Sequence, residues 1–132
     1  MEKTKIQVLL VEDNPTDVIF ISEALQKDTL ASFEIRNVER LNAALALLQG
    51  ESFDIILLDL GLPDSQGLDT FTRLHQAFPE TPTIVLSGFV DEKLALQAVH
   101  AGAQDYLVKG TAGFSAAERS IRYAIERQKL NR

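Results

Sequence analysis

Ile55-Ile56-Leu57-Leu58-Asp59 is a run of four large apolar residues closed by a carboxylate. It shows no alternation of polar and apolar positions, which predicts a strand buried on both faces, as in the interior of a parallel sheet. An earlier run, Ile6-Gln7-Val8-Leu9-Leu10-Val11, is closed by Glu12-Asp13. Two apolar strands therefore each deliver carboxylate at their carboxyl ends. In an open α/β sheet the ligand crevice lies outside those ends, where strand order reverses.

Along the whole chain, strands alternate with helical stretches five times, the signature of a parallel sheet covered on both faces. Pro15 suits the first turn of a helix running to about Lys27, with Val18, Ile21 and Leu25 on one face and Phe20 and Ala24 beside it. Phe33 to Val38, broken by charges, reads as an edge strand. Leu41, Ala44, Leu45 and Leu48 fall at i, i+3, i+4 and i+7, and Gly50 can end that helix. Gly61 to Gly67 is dense in turn formers and precedes a helix carrying Leu68, Phe71, Leu74 and Phe78. The fourth strand spans Thr83 to Leu86, closed by Ser87-Gly88. A helix over about Glu92 to Ala101 stops at Gly102, and the fifth strand, Asp105 to Val108, is closed by Lys109-Gly110. The last helix, from about Ser115, carries Ile121, Ala124 and Ile125 on one face and runs out basic to Arg132.

At 132 residues the chain is expected to form one domain, 1–132, with the helix from about 115 extending as a connector. It has no cysteine, which excludes disulfides, thiolate nucleophiles and zinc-thiolate sites. Met1 to Lys5 lead into an apolar run too short for a membrane span, so a soluble cytoplasmic protein is expected, without a membrane partner. Net charge is −6, which argues against direct nucleic-acid binding. Residues 115 to 132 carry +3 and leave −9 for the rest.

Strand order decides which ends meet. With the first strand beside the third, in the order 2-1-3-4-5, Glu12, Asp13 and Asp59 share one pocket, joined by Ser87 and Lys109. In the order 3-2-1-4-5 the acids are split. Polar residues at four of five strand ends make sense together only in the first arrangement. Taken singly, Asp13 is a turn opener, Asp59 a strand terminator and Lys109 a solvated lysine; their joint placement is what signals a site. Two carboxylates about 4 Å apart at an effective dielectric near 20 repel by roughly 4 kcal/mol. Such a cluster raises a pKa or takes a counter-charge, and hard oxygen ligands suit Mg²⁺, with Mn²⁺ as the alternative.

From Ile6 to about Arg127 the chain resembles a bacterial two-component response-regulator receiver domain of the chemotaxis-regulator type. The resemblance rests on Val11-Glu12-Asp13-Asn14, Leu57-Leu58-Asp59-Leu60-Gly61-Leu62-Pro63-Asp64-Ser65-Gln66-Gly67, Leu86-Ser87-Gly88 and Gly102-Ala103-Gln104-Asp105-Tyr106-Leu107-Val108-Lys109. It implies a flavodoxin-like doubly wound five-stranded parallel sheet, order 2-1-3-4-5, with five helices in a three-layer α/β/α sandwich. It implies that Asp59 accepts a phosphoryl group from the phosphohistidine of a sensor histidine kinase or histidine phosphotransfer protein. Glu12, Asp13, Asp59 and the main-chain carbonyl of Gly61 would hold Mg²⁺, Glu12 through water. Lys109 and Ser87 would bind the transferred group, each charge-assisted bond contributing about 1.5 to 3 kcal/mol. Movement of Ser87 would let Tyr106 turn inward, remodelling the face of helix four, strand five and helix five toward an output domain, a protein partner or a homodimer. Catalysis would be limited to self-catalysed phosphoryl transfer and autodephosphorylation.

The chain departs from the family pattern in three places. Gly110 follows Lys109 where family members often carry proline, which predicts a more flexible approach to helix five. Gly61 and Phe89 flank the pocket. A phosphatase of the haloacid-dehalogenase type would want a second aspartate where Gly61 stands. FMN binding fails on the sign of the first loop, and no glycine-rich nucleotide motif is present. A receiver-shaped scaffold that works without phosphorylation is the remaining rival; it would be expected to have a damaged pocket. His75 and His100 read as surface or rim residues rather than phosphoryl carriers.

Overall fold

A computed structural model describes residues 4–27 and 30–130. The central sheet is formed by β1 (Thr4–Val11), β2 (Ala31–Val38), β3 (Ile55–Asp59), β6 (Thr83–Ser87) and β7 (Asp105–Val108), all parallel, in the order β2-β1-β3-β6-β7. Two-residue strands β4 (Gly61–Leu62) and β5 (Ser65–Gln66) pair as a small antiparallel hairpin outside it. Without the hairpin this is the expected 2-1-3-4-5 order. The chain reverses direction across the sheet between β1 and β3, so their carboxyl ends open on the crevice.

The period-2 alternation of the strands sorts the core into two layers. Ile6, Val8, Leu10, Ile55, Leu57, Ile84 and Leu86 face α1 (Pro15–Gln26) and α5 (Thr111–Leu130). Leu9, Val11, Ile56, Leu58 and Val85 face α2 (Leu41–Gly50), α3 (Leu68–Ala77) and α4 (Glu92–His100). The four apolar residues of β3 are fully buried, each worth about 1.5 to 3 kcal/mol against exposure. That is why the strand shows no polar alternation.

Several expectations need correction. β2 begins at Ala31, two residues early, although it does lie at the sheet edge. The turn-rich stretch 61–67 is not plain loop but contains the hairpin. Phe20 lies on the solvent side of α1, 53% exposed, while Ile21 and Leu25 take the core. α4 ends at His100, with Ala101 as its cap. α5 starts at Thr111 rather than Ser115, directly after Gly110, whose φ of +131° is open to glycine and strained for other residues. Phe114 N–H donates to Gly110 O at 2.9 Å, closing the first turn. Arg132, the expected end of the last helix, lies outside the described residues.

α2 is preceded at its cap position by Arg40, whose side chain makes no capping bond. Asp64, at the hairpin tip, supplies it from afar: Leu41 N–H donates to Oδ1 and Asn42 N–H to Oδ2, both at 2.9 Å. The hairpin that follows Asp59 is thereby tied to a second helix. Among the described residues no helix is long and apolar enough to cross a membrane.

Candidate functional site

β1 ends where α1 is about to start, and the cap of that helix fixes the first acids. Asn14 Oδ1 accepts from Thr16 N–H at 2.9 Å and Asp17 N–H at 3.2 Å, and Pro15 occupies the first turn without a lost bond. Glu12 N–H donates to Val38 O at 3.0 Å, Asn37 Nδ2 donates to Glu12 O at 3.1 Å, and Asn14 N–H donates to Glu12 Oε1 at 3.1 Å. Glu12 is 1% exposed, and Asp59, at the end of β3, is also buried. Asp13 opens toward solvent, and one ligand oxygen from each of Glu12, Asp13 and Asp59 lies within 4.8 Å of the others. The structure thus brings together the three carboxylates expected to meet.

Lys109 enters this cluster from the end of β7. Its Nζ lies 2.7 Å from Glu12 Oε2, 3.1 Å from Asp17 Oδ2 and 3.3 Å from Asp59 Oδ2. Asp17 is absent from the sequence reading; its only signal was a carboxylate one turn into a helix that starts beside Asp13. Three carboxylates therefore contact one ammonium, with Asp13 close to two of them. Burial pushes the Glu12 carboxyl up, Asp59 adds to this, and the pull of Lys109 and Asn14 N–H offsets only part, leaving it at about 7. Burial works against the Lys109 charge, but Glu12, Asp59 and Asp17 outweigh it and hold the ammonium above the ordinary lysine range. The two shifts agree: the shared cation is firmly charged, and the least solvated acid bears the desolvation cost, with repulsion from Asp59 adding to it.

This donor set fits a divalent cation. The buried Glu12 Oε2 has no donor aligned on it as a hydrogen bond, its close neighbour Lys109 Nζ being in ion-pair contact. Two more hard oxygens stand beside it with net negative charge to spare.

Ser87 closes β6 one residue past Leu86, the register partner of Asp59, and Lys109 N–H donates to Ser87 O at 2.7 Å. Ser87 Oγ donates to Phe89 O at 3.2 Å, and Tyr106 OH donates to the same oxygen at 3.2 Å. The Tyr106 ring packs at the margin of the second core layer. Gly61 sits in the hairpin with open space where a Cβ would be. His100 is exposed. His75 is a rim residue that stacks on Phe71 at 5.1 Å, against Gly102.

Residues 8–115 match the family model described as the response regulator receiver domain. The chain belongs to that family. Among curated relatives it is 36% identical over 122 residues to the KDP operon transcriptional regulatory protein KdpE of Escherichia coli, covering 91% of this chain and 51% of that protein. The receiver chain thus spans about half the length of that relative. The signal receiver domain of a putative Luxo repressor protein from Vibrio parahaemolyticus superimposes with a TM-score of 0.81 at 28% identity, covering 96% of this chain and 95% of the other. The Mn²⁺-bound form of response regulator Rcp1 superimposes with a TM-score of 0.75 at 25% identity, covering 92% and 95%. The chain is therefore a receiver domain of two-component signalling.

Proposed function

We propose that this receiver domain is a phosphorylation switch in which Asp59 is the phosphoacceptor. The observation that carries this reading is the Lys109 ammonium 3.3 Å from Asp59 Oδ2, beside three clustered carboxylates. An Asp59 oxygen attacks the phosphorus of a phosphohistidine on a sensor kinase or histidine phosphotransfer protein. A P–O bond forms as the P–N bond breaks, and its electron pair leaves on the imidazole nitrogen. Lys109 neutralises charge building on the transferred oxygens, so catalysis is positioning and electrostatics.

Glu12, Asp13, Asp59 and the Gly61 carbonyl would hold Mg²⁺, or the Mn²⁺ that the Rcp1 structure names. Such a dication neutralises the attacking carboxylate and the incoming phosphoryl group. Ser87 Oγ and Lys109 Nζ then donate to the phosphoryl oxygens. Ser87 leaves the Phe89 carbonyl, Tyr106 turns inward, and the α4, β7 and α5 face changes toward a partner, an output domain or a second copy. α5 carries Arg127 and Lys129 in its last turn and serves as the connector of the single domain. The protein acts as a regulator in the cytoplasm, and hydrolysis of its own acyl phosphate ends the signal.

The test is incubation of the full chain with acetyl phosphate and Mg²⁺, read by intact mass. A single phosphoryl adduct is expected in the wild type and none in Asp59→Asn. An adduct of equal yield in that variant overturns the assignment.

A further inference from the structure

Lys109 Nζ lies within 3.3 Å of three carboxylate oxygens, so an incoming anion meets an ammonium that already has close negative neighbours. The contact to Asp17 Oδ2, at 3.1 Å, is an aligned hydrogen bond, whereas those to Glu12 and Asp59 are ion-pair contacts. Phosphorylation turns the Asp59 carboxylate into an acyl phosphate, so the transferred group competes for the ammonium with the two carboxylates that remain, Glu12 and Asp17. These two differ in what release costs. The Glu12 side chain is 1% exposed, so water does not reach it freely, while that of Asp17 is 22% exposed. An unpaired carboxylate is costly in proportion to its isolation from water. Asp17 also sits in the first turn of α1, where the peptide dipoles favour negative charge without Lys109. It is the partner most easily released.

We infer that Asp17 is a positioning residue that holds Lys109 in the resting pocket and competes with the phosphoryl group for its ammonium. In the resting chain Asp17 draws Lys109 toward α1. On phosphorylation the Lys109–Asp17 hydrogen bond breaks, the ammonium moves onto phosphoryl oxygens, and Asp17 takes water. The competition raises the threshold for activation, because each phosphorylation event has to displace a carboxylate from the residue it needs. It also makes the start of α1 sense the state of Asp59, through one side chain rather than through the sheet. Nothing else in α1 reaches the ammonium among the described residues, since Lys109 pairs there with Asp17 alone.

This inference rests on the phosphoacceptor reading, and the experiment separates the two. Beryllofluoride binding with Mg²⁺ is measured on the full chain for wild type, Asp17→Asn, Asp17→Ser and Asp17→Glu, with a thermal melt to confirm folding. The neutral variants are expected to bind beryllofluoride about 5- to 10-fold more tightly, and Asp17→Glu to remain within about twofold of wild type. The gain is expected to vanish when Lys109→Ala is added, because the competition acts through the ammonium. Nitrogen-detected NMR of the Lys109 ammonium adds a direct signature: its resting resonance shifts in Asp17→Asn, and beryllofluoride moves the wild-type resonance. Unchanged or weaker binding in both neutral variants overturns the inference. A gain that persists in full without Lys109 also overturns it, since the cause is then plain repulsion of the anion. No beryllofluoride uptake by wild type sinks the phosphoacceptor reading instead.

Discussion

Ser87 and Tyr106 are joined through a single atom. The Phe89 carbonyl oxygen accepts the Ser87 hydroxyl and the Tyr106 hydroxyl, each at 3.2 Å. Ser87 lies at the end of a strand whose neighbour carries Lys109, and Tyr106 lies on that neighbour. A change in what Ser87 donates to is therefore felt first at Phe89 and next at Tyr106, with no further residue between them.

Loss of the Ser87 hydroxyl should weaken both binding and response. The chain has no tryptophan and two tyrosines, so in a Tyr123→Phe background the emission comes from Tyr106 alone. Beryllofluoride with Mg²⁺ is expected to change that emission. Adding Ser87→Ala should weaken beryllofluoride binding about tenfold, since a hydrogen bond to a charged group is worth about 1.5 to 3 kcal/mol. It should also cut the amplitude of the emission change by half or more at saturation. An undiminished amplitude would show that Tyr106 responds by another route.

Divalent cation binding should appear as stability. Glu12, Asp13 and Asp59 repel one another in the metal-free protein, so an ion that binds only the folded chain raises its melting temperature by mass action. At one hundred times its dissociation constant Mg²⁺ should add about 2.7 kcal/mol. Asp13→Asn should abolish most of that gain, while itself raising the melting point in chelator because one repulsive charge is gone. Calorimetry with and without chelator decides this, and an equal Mg²⁺ effect in both proteins would remove Asp13 from the ligand set.

What was readable from sequence divides along physical lines. The buried strand Ile55 to Leu58 and the acids at 12, 13 and 59 were legible because burial suppresses alternation and strand-end chemistry is local in sequence. Asp17, Asp64 and the shared Phe89 carbonyl were not, because each acts on a residue 17 to 92 positions away. The start of α5 was misplaced for another reason: Thr111-Ala112-Gly113 reads as loop, yet Gly113 is in the helix because it has no side chain.

Gly113→Ala tests that last point by the sign of its effect. Helix propensity alone favours alanine over glycine by about 1 kcal/mol at a helical site. Here a Cβ at position 113 would collide with Val108 O and lie 2.8 Å from Val108 C, both backbone atoms of β7. Overpacking should prevail, costing about 1 to 3 kcal/mol. A urea midpoint below that of wild type is the expected result, and a higher midpoint would mean that α5 does not approach β7 this closely.

Asp64 should govern stability in acid. Burial is the largest single influence and raises its carboxyl, but the N–H groups of Asn42, Leu41 and Asp64 itself, with the Arg40 charge, together outweigh it and hold the carboxyl below its ordinary value of 3.8. A depressed folded-state value means that the charged form stabilises the fold above the unfolded value, and that this contribution fades as pH falls from 3.8 through the folded value. Asp64 is the sole side chain among the described residues that caps α2, Arg40 offering none. Asp64→Ala should therefore cost about 1 kcal/mol at pH 7, the usual worth of a helix cap. The gap to wild type should narrow progressively below pH 3.8, when the wild-type cap is itself protonated. Asp64→Asn, which keeps one acceptor oxygen but no charge, should fall between the two at pH 7 and show a flatter acid limb than wild type. Urea unfolding across pH 2.5 to 7 measures all three, and a gap that stays constant through acid would mean that the charge of Asp64 contributes nothing to holding α2 against the hairpin.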